Sequence, residues 1–260
     1  MSHFAEFGSF MVEIRDDGVA LTTFSRPPVN AVSLSVYEDI GNFADFVASE
    51  DRIRTIVIAA PEGSRAWCGG ADLHEFKGMT ALRRKERYTF INEQLPRFHR
   101  IDRPMIAAIN GATVGVGVML AGMCDMRIAS EHARFACPEV DYGLVGGSAG
   151  LFAMLKMPEA KVREMLYTGR TFTARELEPT GFFNYVVPQA AVLPLALDLA
   201  GLIARKSMPT LRARKLASLS LEGPEWMDAY LESQEQSSAL VEHPESEAAV
   251  LAALQHSDRR

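Results

Sequence analysis

The segment PMIAAINGATVGVGVMLAGMCDMRIASE, residues 104–131, runs from one short apolar stretch through a cluster of glycines into a helix-length apolar segment and out to a second short stretch. That order reads as strand, turn, helix, strand, the unit of a mainly parallel sheet with helices on its faces. Gly111, Gly115 and Gly117 let the turn's backbone come close to something. Three partners are open: a phosphate, an oxyanion, or a neighbouring element packed tightly.

A dinucleotide fingerprint needs G-x-G-x-x-G on a strand-to-helix turn. Here Gly117 is followed by Val118, Met119 and Leu120, so the third glycine is missing. No G-K-[ST] marks a phosphate loop of the Walker kind either. A second glycine turn, Trp67-Cys68-Gly69-Gly70-Ala71-Asp72, follows the apolar run RTIVIAAPE at 54–62. Two such turns can aim free peptide N–H groups at one point, a geometry that holds a carbonyl oxygen as it becomes negative. Either turn taken alone is also explained by small residues packing closely.

The flanking sequence extends the same pattern. MVEIRDD and GVALTTFSR meet at Asp17-Gly18 and read as a hairpin, because Asp-Gly tolerates the positive φ of such turns. SLSVYEDIGNFADFVASED, 33–51, opens on a serine cap and spaces Val36, Ile40, Phe43 and Phe46 by three and four, which predicts a helix. A second helix is expected from Ala81 to Ile101, ended or kinked by Pro96. From about residue 158 the pattern turns helical, with NYVVP as the remaining strand candidate, so an α/β core of residues 1–195 precedes a helical region, 196–260.

Composition bounds the function. Charged residues make up 23% of the 260-residue chain and the net charge is -6, which argues against a phosphate-neutralising nucleic-acid surface. RRKER at 83–87 is the one basic cluster, and its alternating charge suits a solvated helix face more than an anion contact. Three cysteines without C-x-x-C spacing and histidines without an H-x-x-x-H pair imply neither a disulfide framework nor a metal site. Neither a secretory leader nor a membrane-spanning run is present, so a cytoplasmic protein is expected. Met119, Met123 and Met126 read as core filling, and Cys68 and Cys137 lack a basic neighbour that would make them nucleophiles.

Four ordered runs together closely resemble the crotonase, or enoyl-CoA hydratase/isomerase, superfamily: RPPVNAVS (26–33), IVIAAPEGSRAWCGGADLHEF (56–76), RPMIAAINGATVGVGVMLAGMCDMRIASEHARFACPEVDYGLVGG (103–147) and E-x-x-x-x-G-F-x-x-x-V-V-P from Glu176. The resemblance implies an α/β spiral of ββα repeats with a helical C-terminal trimerisation region, assembled as a homotrimer or dimer of trimers. It implies an acyl-CoA thioester as substrate, with coenzyme A entering as part of that substrate and no separate cofactor, metal, nucleic-acid or membrane partner. The peptide N–H groups of Ala71 and Val116 would hold the thioester enolate. Coenzyme A contacts would come from Val29 and Ala31 and from Gly70, Asp72, Leu73 and His74, with the His74 side chain a candidate for the ligand channel.

Three departures shape the chemistry. Hydratases of this superfamily usually carry one glutamate three residues past the second N–H donor and another in a P-E pair further on. Met119 stands at the first position and Glu139 at the second, so Glu139 is the candidate acid/base. Val116 replaces a residue that is usually glycine, and ALQHSDRR replaces the usual basic-aromatic end. One carboxylate suffices for a double-bond isomerase. Asp141, two residues on, would share a face with Glu139 in an extended segment and is the candidate second acid/base. Val140 and Met119 are expected to desolvate Glu139 and raise its pKa. An enoyl-CoA hydratase or isomerase is the first reading; a crotonase-type thioester or C–C hydrolase, or a non-catalytic acyl-CoA-binding protein, are the alternatives.

Overall fold

The computed structural model describes residues 3–145, 152–223 and 225–257. Gly146 and Gly147, which close the third matching run, and residues 258–260 lie outside the described residues. The chain opens with an antiparallel meander, β1 (His3–Phe7), β2 (Phe10–Ile14) and β3 (Val19–Phe24), whose second turn has Gly18 at φ 83°. There follow α1 (Leu34–Ser49), β4 (Thr55–Ala59), β5 (Ala66–Cys68), α2 (Ala81–His99), β6 (Met105–Ile109), β7 (Ala112–Val114), α3 (Val116–Met123), β8 (Met126–Ser130) and β9 (Arg134–Ala136). The rest is α4 (Glu159–Thr168), β10 (Phe172–Thr173), α5 (Ala174–Leu177), β11 (Tyr185–Val187), α6 (Val192–Ala204), α7 (Met208–Ser220), α8 (Glu225–Leu240) and α9 (Pro244–Ser257).

Two sheets result. The large one has the order β1-β2-β3-β4-β6-β8-β11, parallel from β3 onward, and the small one the order β10-β9-β7-β5. Each repeat puts one strand in the large sheet, the next in the small sheet, and then a helix: β4-β5-α2, then β6-β7-α3. This is the expected spiral of ββα repeats.

Strands β4 and β6 are buried at every position, because both faces of the large sheet are covered. Ile56, Ile58, Met105, Ala107 and Ile109 face the main core with α1 and α2, while Val57, Ala59, Ile106 and Ala108 face α6. Helix α6 meets them with Ala196, Ala200 and Ala204, an alanine every fourth residue that lets helix and sheet approach closely. The division expected at 195/196 therefore falls inside a helix that covers the sheet, and the helices that leave the sheet begin with α7.

Three local expectations are corrected. Ser33 occupies the N-cap of α1 without making a cap bond; its hydroxyl lies 2.8 Å from that of Ser35, and the first helical N–H, of Leu34, donates instead to Glu75 Oε1 at 2.9 Å. Helix α2 does not end at Pro96 but runs through it to His99, because a proline one turn from the end removes a single ladder bond. RRKER is not a solvated face: Arg84 and Arg87 are buried, and Lys85 and Glu86 alone point outward with Arg83.

Candidate active site

The small sheet sets the two glycine turns side by side. β5 and β7 pair in parallel, with Ala66 opposite Ala112 and Cys68 opposite Thr113. A Cβ on Gly117 would lie 2.8 Å from the Cys68 carbonyl oxygen, and one on Gly70 3.1 Å from that of Val114. These glycines thus serve tight packing, and that packing brings the turn at 69–72 against the start of α3.

The orientation of the Ala71 peptide follows from its neighbours. Val32 pairs with Ala71 as a parallel bridge, its N–H donating to Gly70 O at 2.7 Å and its carbonyl accepting from Asp72 N at 3.0 Å. In such a bridge the bonds go to the residues on either side, so Ala71 turns its own N–H to the opposite side. Val116 is the first residue of α3, where a peptide N–H has no intrahelical acceptor. Among the described residues, neither N–H donates to a protein acceptor.

The loop behind Ala71 is braced. Asn30, at φ 55°, donates through Nδ2 to Ala66 O at 3.0 Å and accepts from Arg26 N at 2.8 Å. Arg26 in turn donates to Ala31 O at 3.0 Å and to Asp72 Oδ2 at 2.7 Å. The other oxygen of Asp72 accepts from His74 N at 3.1 Å and caps the 3-10 helix Leu73–Phe76. Both Asp72 oxygens are therefore engaged in holding the turn. Val29, Ala31 and Leu73 are half-buried around it, Gly70 is buried, and the His74 side chain is exposed.

Glu139 reaches this cluster from the 3-10 helix Pro138–Tyr142, which follows β9. Its carboxyl group lies against Gly115: a Cβ built there would sit 2.5 Å from Oε1. Gly115 is at φ 52° and donates to Ala136 O at 2.9 Å, so β9 and the α3 turn are joined beside the carboxyl. Among the described residues Glu139 Oε2, which is buried, has no hydrogen-bond partner, and burial pushes the pKa up to about 7. Val140 is 48% exposed, whereas Met119 is 1% exposed within the core. Burial also pushes the Cys68 thiol up to about 12, which removes its thiolate.

The premise of an extended 139–141 segment is corrected. In a 3-10 helix residues two apart point in different directions; the Asp141 carboxylate lies beside Gly169, at the end of α4, while that of Glu139 lies at Gly115. Two further residues near the site escape a reading of motifs. Glu75 caps α1 through Oε1 and accepts from Arg87 through Oε2, tying α1, the 73–76 turn and α2 together. Arg84 lies over the Phe76 ring at 4.4 Å. The signal for both arginines is the stripe Arg84, Arg87, Ile91, Leu95, Phe98 on α2, which carries them onto the buried face.

Helix α9 packs on both of these 3-10 helices, and α8 packs on α2. Among the described residues, no three His, Cys, Asp or Glu side chains come together as a metal site, and no helix is long and apolar enough to cross a membrane.

A buried carboxyl set against Gly115, one residue from the first N–H of α3, can move a proton next to a carbonyl group. Comparison with known proteins bears on which family builds this fold. The chain is 33% identical over 202 residues to a probable enoyl-CoA hydratase of Bacillus subtilis (strain 168), covering 75% of this chain and 76% of that protein. It is 30% identical over 215 residues to the 2,3-dehydroadipyl-CoA hydratase of Escherichia coli (strain K12), covering 80% and 81%. The crystal structure of an enoyl-CoA hydratase/isomerase from Pseudoalteromonas atlantica T6c superposes with a TM-score of 0.83 over 95% of this chain and 97% of that one, at 22% identity. The sequence profile described as Enoyl-CoA hydratase/isomerase matches residues 15–248, a span that takes in the small sheet, the parallel part of the large one and most of the helices over them, and the chain is a member of that enzyme family.

Proposed function

We propose that the protein acts on an acyl-CoA thioester, holding the enolate oxygen between the N–H groups of Ala71 and Val116 and moving the α-proton with Glu139. The observation that carries this reading is the buried Glu139 carboxyl at Gly115, one residue from the Val116 N–H. Loss of the α-proton places charge on the thioester oxygen, and two fixed donors stabilise that charge without reorganising. A pKa of about 7 suits a group that must take and return the proton.

With methionine at position 119, one carboxylate performs both transfers. In isomerisation Glu139 removes the proton from Cα of a 3-enoyl thioester and delivers it to Cγ. In hydration it takes a proton from water as the oxygen adds to Cβ, then returns it to Cα. The names of the Bacillus and Escherichia relatives favour hydration of a 2-enoyl-CoA. Incubating the protein with crotonyl-CoA and with a 3-enoyl-CoA, followed by absorbance and product mass, tests the reading. Thioesters that bind and stay unchanged support a non-catalytic acyl-CoA-binding protein, and release of free CoA supports a hydrolase.

Coenzyme A then enters with the substrate, no separate cofactor is needed, and Val29, Ala31, Gly70, Asp72, Leu73 and His74 form its entrance. The assembly is a homotrimer or a dimer of trimers in the cytoplasm. Its contacts come mainly from the region after residue 207, where Leu216 on α7 and Leu221 on the turn after it are 55% and 89% exposed.

A further inference from the structure

Between α2 and α8 lies a buried positive charge that has no counter-ion among the described residues. Arg84 is 4% exposed. Its guanidinium stacks over Phe76 and Tyr88, at 4.4 and 4.9 Å from the ring centres, and one nitrogen donates to Ser237 Oγ at 3.1 Å. Nε and the other terminal nitrogen are buried and have no hydrogen-bond partner among the described residues. The nearby carboxylate, Glu75, is already occupied by Arg87 and by the Leu34 N–H. Buried charges in proteins are ordinarily paired, and unpaired donors there are costly.

We propose that Arg84 binds a carboxylate at the far end of the substrate's acyl group, so that the preferred thioesters are those of acids bearing a second carboxyl. The inference rests on the thioester reading above. The place of Arg84 selects the acyl end rather than the coenzyme. Phe76, under the guanidinium, ends the 3-10 helix that starts two residues after Ala71, and α8 packs on α2 and meets Arg84 through Ser237. A thioester carbonyl at Ala71 divides the ligand there. Coenzyme A, with its strongly hydrated phosphates, belongs on the open side with exposed His74, and the acyl group runs inward. A planar guanidinium with two free donors matches a carboxylate in both charge and fork geometry. The apolar faces of the Phe76 and Tyr88 rings flank it.

The test is calorimetric binding of two saturated thioesters of similar length, glutaryl-CoA and butyryl-CoA, with free CoA as a third ligand. Wild-type protein is expected to bind glutaryl-CoA about tenfold or more tightly than butyryl-CoA. Arg84→Met is expected to remove that preference, and Arg84→Lys to keep part of it. Equal wild-type affinities for the two esters overturn the proposal and leave the thioester reading standing, and this comparison needs no variant to fold. Free CoA bound as tightly as glutaryl-CoA also overturns it, assigning the anion contact to the coenzyme phosphates, as does a folded Arg84→Met that retains the preference. Failure of all three ligands to bind removes the functional reading and this proposal together.

Discussion

The carboxyl group of Glu139 is seated on the Cα of Gly115, so that a single added methyl would lie 2.5 Å from Oε1. Gly115 also holds φ 52°, a conformation that side chains rarely adopt. Gly115→Ala is therefore expected to cost about 1–3 kcal/mol of stability and to lower turnover further by displacing the carboxyl. Urea denaturation and steady-state rates measure the two effects; unchanged turnover would mean that the Glu139 position is immaterial.

The pKa of Glu139 makes both stability and rate depend on pH. It is about 7 in the folded protein against 4.5 ordinarily, so between those values the folded state keeps a proton that the unfolded chain has released. This contribution is complete below the ordinary value and is lost as pH rises through about 7. Relative to Glu139→Gln, the wild type should thus lose thermal stability between about pH 5 and about pH 8. Turnover, which needs the carboxylate to take the proton, should rise through pH 7 or so and level off. An identical pH dependence of Tm in the two proteins would contradict this.

Ala71→Pro deletes one peptide donor. If the Ala71 N–H holds the oxyanion, turnover should fall about 10²–10³-fold. Circular dichroism and an unchanged Tm must accompany the loss, since Ala71 also pairs with Val32. A folded variant of full activity would leave the oxyanion without this donor.

Exposed Tyr167, Leu216 and Leu221 on α4, α7 and the turn after it are apolar surface of the kind that subunit contacts cover. Light scattering is expected to give the mass of a trimer or a pair of trimers at micromolar protein. A monomer would contradict the assembly and leave the fold untouched.

Much of this architecture is legible in the sequence because the large sheet is written in five-residue apolar runs such as Thr55–Ala59 and Met105–Ile109. The small sheet is not, because β5, β7, β9 and β10 span two or three residues, too short for any alternation to register. Its place is set by contacts distant in sequence, such as Gly117 against Cys68. Glu139 is visible through its P-E pair, but the environment that raises its pKa depends on how the 3-10 helix turns it toward Gly115 and turns Asp141 away. Arg84 and Arg87 look solvated as part of a charge run, and only their register with Ile91 and Leu95 reveals that they are buried.

The measurement that bears most directly on the mechanism is the turnover of crotonyl-CoA and a 3-enoyl-CoA by Glu139→Gln and, beside it, Asp141→Asn. Glutamine keeps the shape of the side chain and removes its titratable proton. The expected result is a loss of about 10²–10⁴-fold in kcat for Glu139→Gln with CoA-ester affinity nearly unchanged, and near-normal rates for Asp141→Asn. Wild-type turnover by Glu139→Gln together with an inactive Asp141→Asn would move the proton transfer to Asp141 and contradict the account.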